Sequence, residues 1–312
     1  MDKEHISYLL GSKFPGLDSI LIGCHADNGI VPHECCEYDI ITLHDKNMPL
    51  HQDLVHKKGP ILVRNNESIY EISILSVQEF IENSNINYAK FVQFPSQILR
   101  SNIVNHFVDK CNKYHKSFNF NLKTNTIRNI CEITNLHNLL SSEIVDEKFI
   151  SFQLKMISLK TLKIIIQYHL NSEDRPSHLK YQINLVKQNE NLKTREHIDL
   201  LLEYIGTDRA NISTLTRSEK SLRFLIRGED MSSNSILLDK LDFFKKRSMY
   251  VDGVLLISNF ILDRTFDNDQ LIKKYNKLLN LITDIQIKEK ITMLKEVNLL
   301  LEINKNLIYS NY

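Results

Sequence analysis

Two periodicities divide this chain. In the first 90 or so residues, short apolar runs alternate with turn-forming residues, the rhythm of strands. Strands are expected near 19–24, 36–43, 60–64 and 69–75, with a helix before them over 5–13 and another after them over 77–82. Beyond residue 96 the apolar positions recur at three and four instead, the spacing that lines one helix face. Helices are expected over 97–114, 124–141, 146–170, 176–189, 194–205, 217–227, 235–262 and 268–308. The last is the clearest: Leu271, Ile272, Tyr275, Leu278, Leu279, Ile282, Ile285, Leu294, Val297, Leu301 and Leu307 form its stripe. Lys273, Lys274, Lys277, Lys288 and Lys290 fall between them, so the stripe reads as a core face.

Turn chemistry sharpens the division. Five of the eight glycines and four of the six prolines lie in the first 60 residues, and no proline follows Pro176. Turns are therefore concentrated early and long helices are permitted late. The expected fold class is α+β: a small mixed or antiparallel sheet domain over 1–90, followed by a larger all-helical domain over 91–312, with the break near 83–96. No internal repeat supports a solenoid.

Composition narrows the function classes. At 312 residues, 42% hydrophobic and 25% charged, the chain has an ordinary globular make-up. The N-terminus MDKEHISYLLGSK lacks the basic start and apolar core of a signal peptide, and no apolar run approaches the roughly 20 residues of a spanning helix. No membrane association is expected. Five cysteines without framework spacing read as thiols in a reducing cytoplasm. A net charge of +1 gives no global attraction to nucleic acid.

The chemistry-bearing residues cluster early. Leu21-Ile22-Gly23-Cys24 reads as a buried strand entering a tight turn, and Glu37-Tyr38-Asp39-Ile40 opens the next strand. Two residues apart in an extended chain, Glu37 and Asp39 leave the same face about 6 to 7 Å apart at Cα and can converge on a hard divalent cation. Further on, Gly59-Pro60, the apolar Ile61-Leu62-Val63, the turn-prone 65–68 and the strand-like 69–75 predict a hairpin with Glu71 in its second strand. Glu71 either meets solvent or points at the pocket of Glu37 and Asp39.

This order of residues resembles the signature of the DNA polymerase β-like nucleotidyltransferase superfamily over about the first 90 residues. In that family a Gly-Ser turn lies against the nucleotide triphosphate, and an acid-x-acid pair on the next strand holds magnesium. A third carboxylate on a neighbouring strand completes a two-metal site. The resemblance implies phosphate contacts at Gly23 and Cys24, and Mg2+ (or Mn2+) held by Glu37, Asp39 and Glu71, which also serve as the catalytic residues. It implies an NTP substrate, ATP foremost, and transfer of a nucleoside monophosphate to an acceptor hydroxyl on a small molecule, a protein or an RNA. Asn28-Gly29 stands about where the family often keeps a second glycine. The chain departs from the pattern in having Cys24 for Ser, a weaker hydrogen-bond donor, and a loop about two residues longer. Glu also replaces Asp at 37 and 71. These departures suit the alternative of a catalytically degenerate module that binds or regulates.

By the same resemblance, a helical domain offers cationic and aromatic groups to the nucleotide or acceptor. Arg175, His178, Lys180 and Tyr181, in the run joining two expected helices, are the candidates, with Lys160 and Lys163 after them. Solvated loop residues would look the same. Lys245-Lys246-Arg247 reads as a surface cluster. A rival constellation, Cys24, His25, His33, Cys35 and Cys36, supplies soft ligands for zinc but no C-x-x-C pair, and neighbours such as Cys35-Cys36 point to opposite sides of an extended chain. Cys24 and Cys36 read equally as small buried hydrophobes.

Overall fold

The computed structural model describes residues 3–14, 17–26, 31–44, 60–65, 68–76, 78–79, 92–94, 101–142, 146–227, 229, 232–265 and 268–309. The fold is α+β, a small mixed sheet followed by a larger helical region. By its contacts the chain forms two compact units, Met1–Phe118 with Asp230–Asp239, and Asn119–Glu229 with Lys240–Tyr312.

The first unit contains helix α1 (Lys3–Lys13) and strands β1 (Asp18–Ile22), β2 (Tyr38–His44), β3 (Ile61–Asn65), β4 (Ser68–Ser76) and β5 (Val92–Phe94). Their order in the sheet is β3-β4-β2-β1-β5. Strand β2 pairs parallel with β4 and antiparallel with β1, while β3–β4 is the expected antiparallel hairpin. Ile6, Leu9, Leu10 and Phe14 recur at helical spacing and join Leu21, Ile40, Tyr70 and Ile72 in one buried cluster. Each such side chain contributes about 1.5–3 kcal/mol by burial. Because strand side chains alternate, burying Ile40 and Ile72 on this face puts Asp39 and Glu71 on the other. At the end of β4, Ser76 and Glu79 cap each other reciprocally: the Ser76 N–H donates to the Glu79 carboxylate at 2.8 Å and the Glu79 N–H to the Ser76 hydroxyl at 3.1 Å. That pair is a helix-start signature; the rest of the expected helix over 77–82 lies outside the described residues.

Strand β5 pairs with Ser19–Leu21 of β1, where the sequence suggested only a break between domains. Three residues are too few for a readable alternation, so its partner strand identified it.

Helix α2 runs unbroken from Ser101 to Ser141, joining the expected segments 97–114 and 124–141. No glycine or proline lies in the stretch 115–123 that separates the two expected segments, so no breaker interrupts the helix there. The second unit continues with α3 (Glu147–Leu170), α4 (Leu179–Asn189), α5 (Leu192–Ile205), α6 (Ile212–Leu225), α7 (Ser232–Lys246), α8 (Tyr250–Thr265), α9 (Asp269–Ile282) and α10 (Lys290–Tyr309), α7 beginning in the first unit. Among the described residues, side chains cap four of these starts: Asp146 for α3, Asn191 for α5, Asn211 for α6 and Asn268 for α9. The spans expected over 235–262 and 268–308 are each two helices. They break where Ser248 (φ 57°) and Asp284 (φ 49°) turn left-handed, a local reversal that apolar periodicity does not register.

Helix α3 is the axis of this unit, buried on nearly every side. A polar tie crosses its core: the Asn129 amide donates to the Thr161 hydroxyl at 2.9 Å and the Asn304 carbonyl at 3.0 Å, and the Asn304 amide donates to Thr161 at 3.0 Å. Three helices are thereby locked in register. Among the described residues, no helix is long and apolar enough to cross a membrane.

Candidate functional site

The site is built at the start of β2. In the parallel β2–β4 register Asp39 lies directly opposite Glu71, and in the antiparallel β1–β2 register Ile22 lies opposite Asp39. Glu37, two residues before Asp39, faces the same way. The carboxylates of Glu37, Asp39 and Glu71 consequently converge, with one oxygen from each lying within 4.8 Å of the others, and all three residues are half-buried. Of the two positions open to Glu71, the structure takes the pocket.

Gly23 ends β1 in the left-handed region (φ 76°), and a Cβ there would stand 2.0 Å from an Asp39 carboxylate oxygen. Only glycine allows that approach. The chain then tightens into a turn over Cys24–Ala26, closed by the Ala26 N–H donating to the Gly23 carbonyl at 3.2 Å, and Ala26 plugs into the core. On the other side of the sheet, His25 stacks on Tyr38 (centroids 3.9 Å apart) and Tyr38 on Tyr70 (5.0 Å). This aromatic column stiffens the two strands from behind the acids.

The arrangement suits a divalent cation. Two negative charges no more than 4.8 Å apart repel by at least about 3.5 kcal/mol at an effective dielectric of about 20, a penalty that a cation between them reverses. Oxygen ligands on one Mg2+ lie about 3 Å apart when adjacent, so small side-chain rotations close the cluster around an ion. The residues present therefore fit the metal implied by the resemblance.

The sulfur groups beside the acids have perturbed protonation. Hydrogen bonding to the Cys36 thiol, then burial, then the negative charges of Cys36, Asp39 and Glu37 push the Cys24 thiol far above its ordinary range, keeping it protonated. Burial lowers the pKa of His25, opposed by its 3.1 Å contact with the Cys36 carbonyl. A carbonyl can only accept, so the neutral ring donates from Nε2 and keeps Nδ1 as an acceptor.

The pairing of Cys24 with Cys36 was not legible in the sequence. Extending the β1–β2 register past Ile22 and Asp39 brings 24 level with 37 and 25 level with 36, so Cys24 and Cys36 are diagonal neighbours, but that register exists only once the strands pair. Cys35 and His33 sit in the turn that precedes β2, where the Cys36 N–H donates to the His33 carbonyl at 2.9 Å. Asn28 and Gly29 lie outside the described residues.

The helical candidates Arg175, His178, Lys180 and Tyr181 belong to the second unit, and the acids to the first. The Arg175 N–H donates to the Gln182 side chain at 2.8 Å, so that backbone group serves the fold. His178 is buried at the end of a short turn over Pro176–His178, and Lys180 pairs with buried Asp252 at 3.6 Å. Lys160 pairs with Glu132 at 2.6 Å, and Lys163 with Asp174 at 3.1 Å and Asn259 at 2.6 Å. The basic trio is not uniformly a surface cluster: Lys246 and Arg247 are exposed, but half-buried Lys245 reaches the buried Glu219 carboxylate.

Comparison of the chain with protein-family models, with curated proteins and with solved structures gives no match. The site's own geometry therefore carries the functional argument.

Proposed function

We propose that the first unit carries a metal-dependent nucleotidyltransferase site. Its reaction moves a nucleoside monophosphate from an NTP, ATP foremost, to a hydroxyl acceptor. The observation that carries this reading is the convergence of Glu37, Asp39 and Glu71 within 4.8 Å beside a glycine whose Cβ would collide with one of them. Glu37 and Asp39 would hold one Mg2+ and Asp39 with Glu71 a second; bound there, the metal neutralises charge on the leaving pyrophosphate and acidifies the acceptor hydroxyl. Backbone N–H groups around Gly23 would cradle the phosphate oxygens. The acceptor oxygen forms its bond to the α-phosphorus as the bond to the pyrophosphate oxygen breaks, and Glu71 receives the hydroxyl proton. Positioning and charge supply the catalysis, with no covalent intermediate. Thiols at 24 and 36 support a reducing, cytoplasmic setting.

One observation favours a second reading, a degenerate module that binds without turnover. The Cys24 thiol is engaged with Cys36 where the family presents a hydroxyl donor, and the longer Glu side chains at 37 and 71 place their oxygens differently from Asp.

Calorimetry of the whole chain with each NTP and Mg2+ or Mn2+ tests the proposal. Saturable, metal-dependent binding is expected, lost in Asp39→Asn and Glu71→Gln. Absence of binding for every nucleotide would rule it out. Binding with no pyrophosphate release against a panel of small-molecule, protein and RNA acceptors would favour the degenerate reading.

A further inference from the structure

We propose that Cys24 and Cys36, together with the Asp39 carboxylate, form a site for a soft divalent cation of the zinc type beside the hard-cation cluster. The two Sγ atoms lie within 4.8 Å of each other although their residues are separated by eleven others in the sequence. Two thiolates on one tetrahedral zinc, each at about 2.3 Å, are about 3.8 Å apart. A modest rotation of either side chain closes that gap.

Both cysteines sit on fixed backbone. Cys24 opens the turn that Ala26 anchors in the core, and Cys36, 5% exposed, closes the turn whose N–H donates to His33. Asp39 is packed against Gly23, the residue that precedes Cys24, and its negative charge acts on the Cys24 thiol, so its carboxylate is the oxygen ligand beside the two sulfurs that this proposal recruits. A water in the fourth position completes a tetrahedron.

The structure also selects among the five soft groups of this segment. His25 is committed through Nε2 to the Cys36 carbonyl and through its ring face to Tyr38. Among the described residues, Cys35 joins no cluster of metal-ligating groups. Thiolate ligands prefer zinc to magnesium, and carboxylates alone prefer the reverse. A zinc ion taking Asp39 would withdraw that carboxylate from the hard site and oppose Mg2+-dependent nucleotide binding. That last consequence rests on the nucleotidyltransferase reading; the coordination does not.

Cobalt(II), added to the reduced whole chain, is the probe. One equivalent should bind with tetrahedral visible bands and a thiolate-to-cobalt charge-transfer band, displaced by zinc and not by excess Mg2+. Cys24→Ser and Cys36→Ser should each lower the charge-transfer band and weaken binding at least about 100-fold, the double serine variant should lose the band, and Cys35→Ser should keep both band and affinity. X-ray absorption on the zinc-loaded wild type should count two sulfur ligands at about 2.3 Å, an outcome that needs no variant to fold. No charge-transfer band in the wild type, a band that survives in the double serine variant, or a zinc shell without sulfur would each overturn the proposal. If the sulfur shell is found but no nucleotide binds, the cation site stands and the transferase reading falls.

Discussion

Replacing one glycine tests the local geometry most directly. In Gly23→Ala the added methyl carbon would stand 2.0 Å from the Asp39 Oδ2 and 3.1 Å from its Cγ. The backbone must also hold φ 76° with a side chain in place, at a cost of about 1–2 kcal/mol for a non-glycine residue. The 2.0 Å contact cannot persist, so either the carboxylate rotates away or the strand end shifts. The expected result is a destabilisation of about 1–3 kcal/mol together with loss of Mg2+-dependent nucleotide binding. Gly11→Ala is the matched control: Gly11 lies on the exposed face of helix α1 with nothing within 4 Å of its Cβ position, so the same substitution should stabilise by about 0.5–1 kcal/mol. Urea unfolding and calorimetry on both variants read stability and binding separately. If Gly23→Ala matched the wild type in both, the left-handed turn packed on Asp39 would be wrong, and the site argument with it.

Two further perturbations probe the helical unit. Burial, then the Arg209 charge, hold Lys155 down to about 7 despite Asp284 and Asp208 nearby, and its ammonium donates to the Thr283 carbonyl. The folded state thus binds fewer protons than the unfolded between about 7 and 10.5, and stability should rise with pH across that window. Lys155→Met should flatten the rise in urea titrations at a series of pH values; an unchanged slope would contradict the assignment. Asn304→Leu strips partners from Asn129 and Thr161 in the buried tie, and should cost about 1–3 kcal/mol in thermal or urea unfolding; a neutral effect would show that the tie does not hold the three helices.

The residues of the candidate acid cluster were legible early, because an acid-x-acid step in an extended strand fixes which face two side chains share. Whether Glu71 joined them was not legible, since strand β4 could have carried it to solvent. The parallel register that sets Asp39 opposite Glu71 settled its place. Strand β5 and the helix breaks at Ser248 and Asp284 escaped for a related reason. A three-residue strand has no period, and a non-glycine residue turning left-handed leaves no mark in apolar spacing. Capping residues fared better: Asp146 lies where a helix start was expected and accepts from the next turn, because its effect is local.

By itself, the sequence determined the division into an early strand-rich segment and a late helical one. It also determined which residue types stand beside the first turn. Both follow from interactions reaching only a few residues along the chain: turn chemistry, capping and apolar period. The tertiary structure decided which strands became neighbours, and so placed three carboxylates within 4.8 Å and drew the thiols of Cys24 and Cys36 together. Strand pairing is chosen by burial of the whole sheet face against α1, a sum over residues distant in sequence. No local pattern encodes that sum.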